Sequence, residues 1–345
     1  MDALDKLLLA CTRQVLLAEH QDEVRNIASS GQVQWDILFQ TALDHGVAPL
    51  IYTNLRRCGG EELGIPQEII EQFQLTFFQN MSFKEREREN LVEALCLFEA
   101  MDIEVMLIKG VALDTLVYHD SYVTMPQDMD IVLRVRKEEL TIKELRDIGE
   151  SLHRKGIEYD FFEHHDVTMN NAIPIDFNRI WDDAQSINLS DRNVYVMSPE
   201  DLLVAACINS CRKRFFRLKS MCDIAEIIKK YPDLNWQIVV DNSIAWECNY
   251  IVYSALLVTK RLLGCEIQAD VFANLKVGRT RTRLIHFLIE NIQKRQTLAS
   301  LFPFSGITMF GREIEPSLLL PYASYRGYQV GRKIKEVYGS WQQND

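Results

Sequence analysis

The chain has 345 residues, of which 47% are hydrophobic and 25% are charged. These values are ordinary for a globular protein and exclude a disordered chain as the overall description. There are 38 Lys and Arg against 49 Asp and Glu, so the formal net charge is −11. This balance argues against a broad electrostatic surface for nucleic acid or an anionic membrane, although it leaves room for a local basic pocket.

The first hundred residues have the pattern of helices. Leu4, Leu7, Leu8 and Cys11 follow a 3.6-residue apolar stripe. Further helices are predicted at about 35–44, at 49–58 and over roughly 66–101, where Pro66 stands near the first turn. We therefore expect an N-terminal helical region over residues 1–100.

The predicted secondary structure changes from helices to a mixture of strands and helices after residue 102. Strands are predicted at 103–108 and 129–135, with an amphipathic helix between 137 and 155. Two more strand-like runs follow, from Tyr159 to Met169 and from Ile173 to Ile180. The segment 101–197 is expected to be a small α+β core with a mixed sheet.

Helices are predicted again from Ser198 onward. Ser198-Pro199-Glu200-Asp201 combines a capping Ser, a Pro at the first helical position and acids in the first turn. The expected helices cover 201–212, 217–230, 235–263, 267–275, 280–295 and 322–338. Residues 198–345 are thus predicted to be a C-terminal helical domain.

Location is indicated by the cysteines and by the apolar stretches. The eight Cys show no CxxC pair, which predicts reduced and mostly buried thiols in a cytoplasmic protein. The N-terminus lacks the order of charge and apolar residues of a signal peptide. The long apolar stretch 243–264 contains Glu247, Asn249 and Lys260, so it is interpreted as a core helix rather than a membrane span.

Two carboxylates are the centre of the functional interpretation. Asp128 and Asp130 flank Met129 at the start of a predicted strand, where residues i and i+2 point to the same side. Paired carboxylates repel unless a cation lies between them, and hard oxygen ligands suit Mg²⁺ or Mn²⁺. A solvated strand face is the alternative for this pair taken alone.

Two neighbouring features strengthen the metal interpretation. Lys109 and Gly110 form a turn between a strand and a helix, and such a turn presents amide donors and a cation to phosphate. Asp176 stands between Ile175 and Phe177 in a predicted strand, where it is either a third metal ligand or an outward-facing residue. The Lys-Gly turn, the pair of Asp residues and Asp176 together are a more specific signal of a metal and phosphate site than any one of them alone.

The sequence resembles a known family in this region. LIKGVALDTLVYHDSYVTMPQDMDIVLRV, followed by IPIDFNRIW, is similar to the uncharacterised nucleotidyltransferase family (NTP_transf_5-like) of the DNA polymerase β superfamily. The resemblance covers roughly residues 30–230. It implies a small mixed-sheet nucleotidyltransferase core flanked by N-terminal helices and a C-terminal helical bundle.

The resemblance also implies roles for individual residues. Asp128, Asp130 and Asp176 match the three acids that hold the catalytic divalent metals. Lys109 and Gly110 match positions that face the nucleotide phosphates. Two departures are noted: Thr124 and Asn209 stand where family members often carry Arg and His, so a phosphate or substrate contact is lost at each.

Two further patterns were weighed from the residues themselves. Strand alternation would send His164 and His165 to opposite faces, so a surface or sheet-edge role is favoured over a shared metal ion. Arg212 to Lys219 is a dense basic cluster in an acidic protein. It is either a solvated helix end or a phosphate site, with Lys213 and Arg217 as the candidate phosphate ligands.

The leading hypothesis is Mg²⁺-dependent transfer of an NMP from an NTP to a hydroxyl-type acceptor. The acceptor could be a small molecule, a peptide or a protein, and long nucleic acid is the least favoured. By analogy with the family, a peptide or polysaccharide biosynthetic pathway is expected. The alternatives are a catalytically degenerate nucleotide- or peptide-binding module and a toxin-like modifier of tRNA or protein.

Overall fold

The structure of the protein is a computed structural model that describes residues 2–125, 128–135, 141–169, 172–213, 217–283 and 285–286. It begins with helices α1 (Ala3–Ala10), α2 (Ala18–Ala28), α3 (Trp35–Asp44), α4 (Ala48–Arg57) and the long α5 (Gln67–Ala100). The Asp2 carboxylate accepts a hydrogen bond from Asp5 N and so caps α1. The individual helices predicted in this region are present, and α2 is an additional helix that was not predicted.

One sheet contains the strands β1 (Ile103–Leu107), β2 (Met129–Val135), β3 (Ile157–Phe161), β4 (Gln185–Leu189) and β5 (Arg192–Val196). Their order is β3-β2-β1-β5-β4. The pairs β1–β2 and β4–β5 are antiparallel, whereas β1–β5 and β2–β3 are parallel. All five residues of β1 are buried because this strand is central and covered on both faces.

Helices cover the sheet and continue beyond it. These are α6 (Lys109–Leu116), α7 (Ile142–Lys155), α8 (Phe177–Asp182), α9 (Pro199–Arg212), α10 (Leu218–Lys230), α11 (Trp236–Ala245), α12 (Asn249–Leu263) and α13 (Ala269–Asn274). Helix α5 packs against β1 and α7, and α9 packs against α10, α11 and α12. The expected class, a small mixed sheet with flanking helices, is confirmed.

Several local predictions are also confirmed. The long helix predicted at 66–101 is α5, and Ser198 Oγ accepts from Asp201 N and caps α9. Seven of the eight cysteines are buried free thiols, and Cys96 is exposed. Across the described ranges, we find no helix with both the length and the apolar character required to cross a bilayer.

Other predictions need correction. The run Tyr159–Met169 is a strand only as far as Phe161, and Ile173–Ile180 is a loop followed by α8. Strands β4 and β5 were not predicted. The single helix predicted at 235–263 is divided into α11 and α12 by a turn at 246–248. The predicted helix at 322–338 lies outside the described residues, as does 280–295 except for 280–283 and 285–286.

Candidate functional site

The turn between β1 and α6 positions the lysine of the candidate site. Lys109 adopts φ +50°, a left-handed conformation that costs a non-glycine residue about 1–2 kcal/mol. Its ammonium Nζ lies 2.9 Å from Asp130 Oδ1 and 2.6 Å from Asp166 Oδ2, and the side chain is buried. Lys109 is therefore engaged by two carboxylates rather than directed at open solvent.

The two acids of β2 lie in different environments. Asp128 directly precedes the strand and is exposed, whereas Asp130 lies within it and is buried. Burial alone raises the pKa of Asp130, but the contacts with His164 and Lys109 together outweigh burial and hold that pKa below its usual range. Asp130 is thus ionised and already paired with a cation.

Asp176 is not on a strand, which corrects the prediction. It is the N-cap of α8, where its Oδ1 accepts hydrogen bonds from Asn178 N at 3.1 Å and Arg179 N at 3.3 Å. Such a cap stabilises a helix by about 1 kcal/mol. Asp176 Oδ2 forms no hydrogen bond with any described residue, so this exposed oxygen is open to a ligand.

The three acids offer the oxygen donors that Mg²⁺ or Mn²⁺ prefers. Asp128 is exposed, Asp176 has one open oxygen, and Asp130 would have to share its carboxylate with Lys109. Among the described residues, Asp128, Asp130 and Asp176 do not gather into one ligand cluster. Their chemistry fits a divalent cation, and their role as its ligands stays a prediction.

Asp166 is a member of the site that the sequence did not reveal. Besides Lys109, its Oδ2 contacts Arg212 Nη2 at 3.1 Å. Burial raises the pKa of Asp166, but Lys109 and Arg212 outweigh this effect and hold the pKa well below its usual range. An ion-pair network therefore joins α6, β2 and the start of the basic cluster. The only signal in the sequence was its place beside two histidines.

The two histidines lie together, contrary to the prediction. Phe162 adopts φ +64° and ends β3, so strand alternation does not apply to the residues after it. The rings of His164 and His165 stack with centroids 4.8 Å apart and an interplanar angle of 16°. His165 Nδ1 contacts the carboxylate of Asp160, which also accepts from His165 N at 2.8 Å.

A cavity of about 360 Å³ opens beside the site, between α5, α6 and the start of β2. Gly110 of the lysine–glycine turn and Asp128 both line it. Its other walls mix charged, hydroxyl and apolar side chains, among them Lys84, Glu87, Arg88, Leu91, Asp114, Thr115, Tyr118, His119, Tyr122, Met125, Met129 and Lys219. Its volume is within the range typical of small-molecule sites.

The residues at the two family departures have structural partners. Thr124 Oγ1 donates to Asp114 Oδ1 at 2.7 Å, and Thr124 is buried beside the cavity. Asn209 lines a small cavity of about 20 Å³ behind Lys109, which Asp223 also lines. Neither position supplies the cation or imidazole that would contact a phosphate.

The basic cluster is only partly directed at the cavity. Lys213 is the C-cap residue of α9, and burial, with help from Arg212 and Arg217, lowers its pKa to about 8. Arg217 is exposed at the start of α10 and does not line either cavity described above. Lys219 does line the larger cavity, and its ammonium binds both oxygens of Asp223 at 2.8 and 3.0 Å.

The sequence model of a family described as uncharacterised nucleotidyltransferase matches residues 31–264. The chain belongs to this family, which supports a general nucleotidyl transfer activity. Neither the curated proteins nor the solved structures contain a match to the chain.

Proposed function

We propose that the protein transfers an NMP from an NTP to a hydroxyl-type acceptor in the presence of a divalent cation. The observation that carries this proposal is the shared cavity, since Gly110 and Asp128 line the same 360 Å³ space. A glycine turn at a helix N-terminus attracts phosphate, and an exposed carboxylate nearby can bind the cation that accompanies a triphosphate. The cavity could therefore accommodate both the phosphates and the cation of a nucleotide–metal complex.

Asp128, Asp130 and Asp176 are the proposed ligands of Mg²⁺ or Mn²⁺. When bound, the metal would stabilise negative charge on the triphosphate and lower the pKa of an acceptor hydroxyl. Asp130 has its charge fixed by its contacts, and the capping contacts of Asp176 Oδ1 orient its open Oδ2. These features keep two of the three carboxylates ionised or oriented before a cation arrives.

The phosphates are assigned to the N-terminus of α6 and to the basic residues around it. Gly110 lines the cavity in the first turn of α6, and Lys109 is the first residue of that helix. Lys213 and Arg217 are the further proposed phosphate ligands. Burial, together with its cationic neighbours, lowers the pKa of Lys213 to about 8, so a bound polyanion would favour its charged form.

We propose a small molecule or a peptide as the acceptor, in the setting of the cytoplasm. The cavity walls include Tyr118, Tyr122, Met125 and Met129, which suit a compact amphipathic ligand. The net charge of −11 makes long nucleic acid the least favoured acceptor. A peptide or polysaccharide biosynthetic pathway is consistent with this class of acceptor.

A binding module without turnover is the second candidate, and one observation favours it. Lys109 occupies the carboxylate Oδ1 of Asp130 that a catalytic cation would need. If Lys109 does not leave Asp130, the protein would bind a nucleotide and release no pyrophosphate.

Thermal unfolding with ATP, GTP, CTP and UTP, each with and without Mg²⁺, tests the proposal. A ligand at 100 times its Kd adds about 2.7 kcal/mol of stability, so binding is easy to detect. We expect Mg²⁺-dependent stabilisation by at least one NTP, lost in Asp128→Asn and kept in Asp191→Asn, an exposed acid of the β4–β5 turn. No stabilisation by any NTP would contradict both candidates. Stabilisation without pyrophosphate release on screening acceptors would leave the binding module.

A further inference from the structure

The turn after β3 gathers metal-ligating side chains that the proposed nucleotidyl transfer does not use. Asp160, His164 and His165 each offer one ligand atom, and these atoms all lie within 4.8 Å of one another. The positive φ of Phe162 brings the two imidazoles to the same side, where they stack. Two imidazoles and a carboxylate at this separation form a compact donor set.

His164 has a buried nitrogen that lies near two carboxylates but forms no well-aligned hydrogen bond with a described residue. Its side chain is 0% exposed, and its Nε2 makes no hydrogen bond with any described residue. This atom lies 3.3 Å from Asp130 Oδ1 and 4.0 Å from Asp160 Oδ2. An unsatisfied buried polar atom is destabilising, and this nitrogen faces two carboxylates with which it could share a cation.

The charges around this point also favour a cation. Among the described residues, the contacts that link the carboxylates of Asp130, Asp160 and Asp166 include two permanent cations, Lys109 and Arg212. One negative charge of this network is therefore not balanced by either cation. A divalent ion bound at the histidine side would compensate it at short range.

We propose that Asp160, His164 and His165 bind one divalent transition-metal ion of the Zn²⁺ type. Imidazole nitrogen with carboxylate oxygen is a donor set that suits zinc better than the all-oxygen set of Mg²⁺. Ligands about 2.1 Å from a tetrahedral ion lie about 3.4 Å apart, close to the 4.0 Å between His164 Nε2 and Asp160 Oδ2. Three protein ligands leave one coordination position open.

Binding requires two small rearrangements. The contact between His165 Nδ1 and Asp160 Oδ2 must open to admit the ion. Ligation through His164 Nε2 also places the proton of that ring on Nδ1, which now accepts from Asp166 N at 3.2 Å. Loss of this long hydrogen bond leaves two donors facing each other, and this cost is small against the binding free energy of a structural zinc ion.

Metal titration of the full-length protein tests the site without nucleotide or acceptor. The protein is stripped with a chelator, and Zn²⁺ is added under equilibrium dialysis. Co²⁺ is used in parallel because its visible spectrum reports ligand type. All samples carry Cys96→Ser, which removes the exposed thiol. His165→Ala and Asp160→Asn are compared with His153→Ala, an exposed histidine of α7 outside the cluster.

We expect one Zn²⁺ per chain in the parent and in His153→Ala, with affinity at least about 100-fold weaker in His165→Ala and Asp160→Asn. The Co²⁺ spectrum should show nitrogen and oxygen ligation without a thiolate charge-transfer band. Circular dichroism confirms that the variants fold. If one of the two cluster variants does not fold, the other is sufficient for the test. Equal Zn²⁺ affinity in the cluster variants, a thiolate band, or no binding by the parent would overturn the proposal.

Discussion

The ammonium of Lys109 lies 2.9 Å from Asp130 Oδ1, and both side chains are more than 90% buried. This contact places a protein cation on a carboxylate that we propose as a metal ligand. A cation that binds Asp130 must therefore displace Lys109 or share the carboxylate with it. The relation between these two residues decides whether the site is ready for catalysis or held closed.

Replacing Lys109 should destabilise the protein strongly. In Lys109→Met, Asp130 and Asp166 lose their shared cation, and breaking a buried pair on one side costs about 3–5 kcal/mol. Lys155→Met, which removes a contact with the exposed Glu93, should cost about 1 kcal/mol or less. Urea unfolding measures both. Mg²⁺ should restore part of the stability lost in Lys109→Met, and equal stability of the two variants would refute the importance of the buried pair.

Glu87 predicts a pH dependence of stability. Burial, with Asp114 and Asp128 nearby, raises the pKa of this cavity residue from 4.5 to about 7, against the opposing effect of Lys84. Between these values the folded protein binds more protons than the unfolded chain, so the free energy of unfolding falls as pH rises from about 4.5 to 7. In Glu87→Gln this contribution disappears, and the variant should gain about 1 kcal/mol at pH 8, since Glu87 is partly solvated.

Chemical unfolding at a series of pH values between 4.5 and 8 measures this effect. Glu89→Gln, on the exposed side of the same helix, serves as the control and should follow the parent curve. A Glu87→Gln curve parallel to that of the parent would show that Glu87 titrates as an ordinary surface acid.

Lys213 predicts proton uptake when a nucleotide binds. Its pKa is lowered to about 8, so at pH 8.5 much of the population is neutral. A triphosphate bound nearby would raise this pKa, and the complex would take up a proton. Calorimetry in two buffers of different ionisation enthalpy measures the uptake. It should vanish in Lys213→Met and persist in Lys230→Met, and unchanged uptake in Lys213→Met would remove Lys213 from the phosphate site.

We predict that Asp201 stabilises the contact between the C-terminal helices and the region around Asp176. Its buried Oδ1 accepts from Arg179 Nη2 at 3.1 Å and from Asn242 Nδ2 at 2.8 Å. Asp201→Ala would leave these donors without their charged partner, at a cost of about 3 kcal/mol. Asp183→Ala removes a half-exposed partner of the same arginine and should cost about 1 kcal/mol or less. Thermal unfolding distinguishes the two, and similar losses would argue against the buried contact.

The fold was predictable where local signals and tertiary packing agree. The apolar stripe of α1 and the Ser198 cap of α9 each favour a helix, and the buried faces of both helices agree with that prediction. Strands β4 and β5 were missed because they are short and β4 is a largely polar edge. Their one local signal is the two-residue turn Ser190-Asp191, where both residues have positive φ, and Ser-Asp is a weak sequence for such a turn.

The candidate site, like the fold, was only partly predictable from the sequence. The sequence places Gly110 and Asp128 at ends of neighbouring elements, and the structure brings both to one cavity. The sequence contains no sign that Phe162 adopts positive φ. This single backbone angle brings His164 and His165 together. The alternation of apolar and polar residues around Asp176 suggested a strand. The structure accommodates the same apolar residues around a short helix that Asp176 caps.

Trp181 gives this region a built-in optical reporter. Its indole Nε1 donates to Phe162 O at 3.0 Å, and the Arg134 guanidinium lies 4.4 Å from its ring centroid. The fluorescence of an indole depends on its hydrogen bond and on nearby charge. An event that shifts the histidine turn or α8 will therefore change the emission of a tryptophan that the chain already carries, with no dye or label attached.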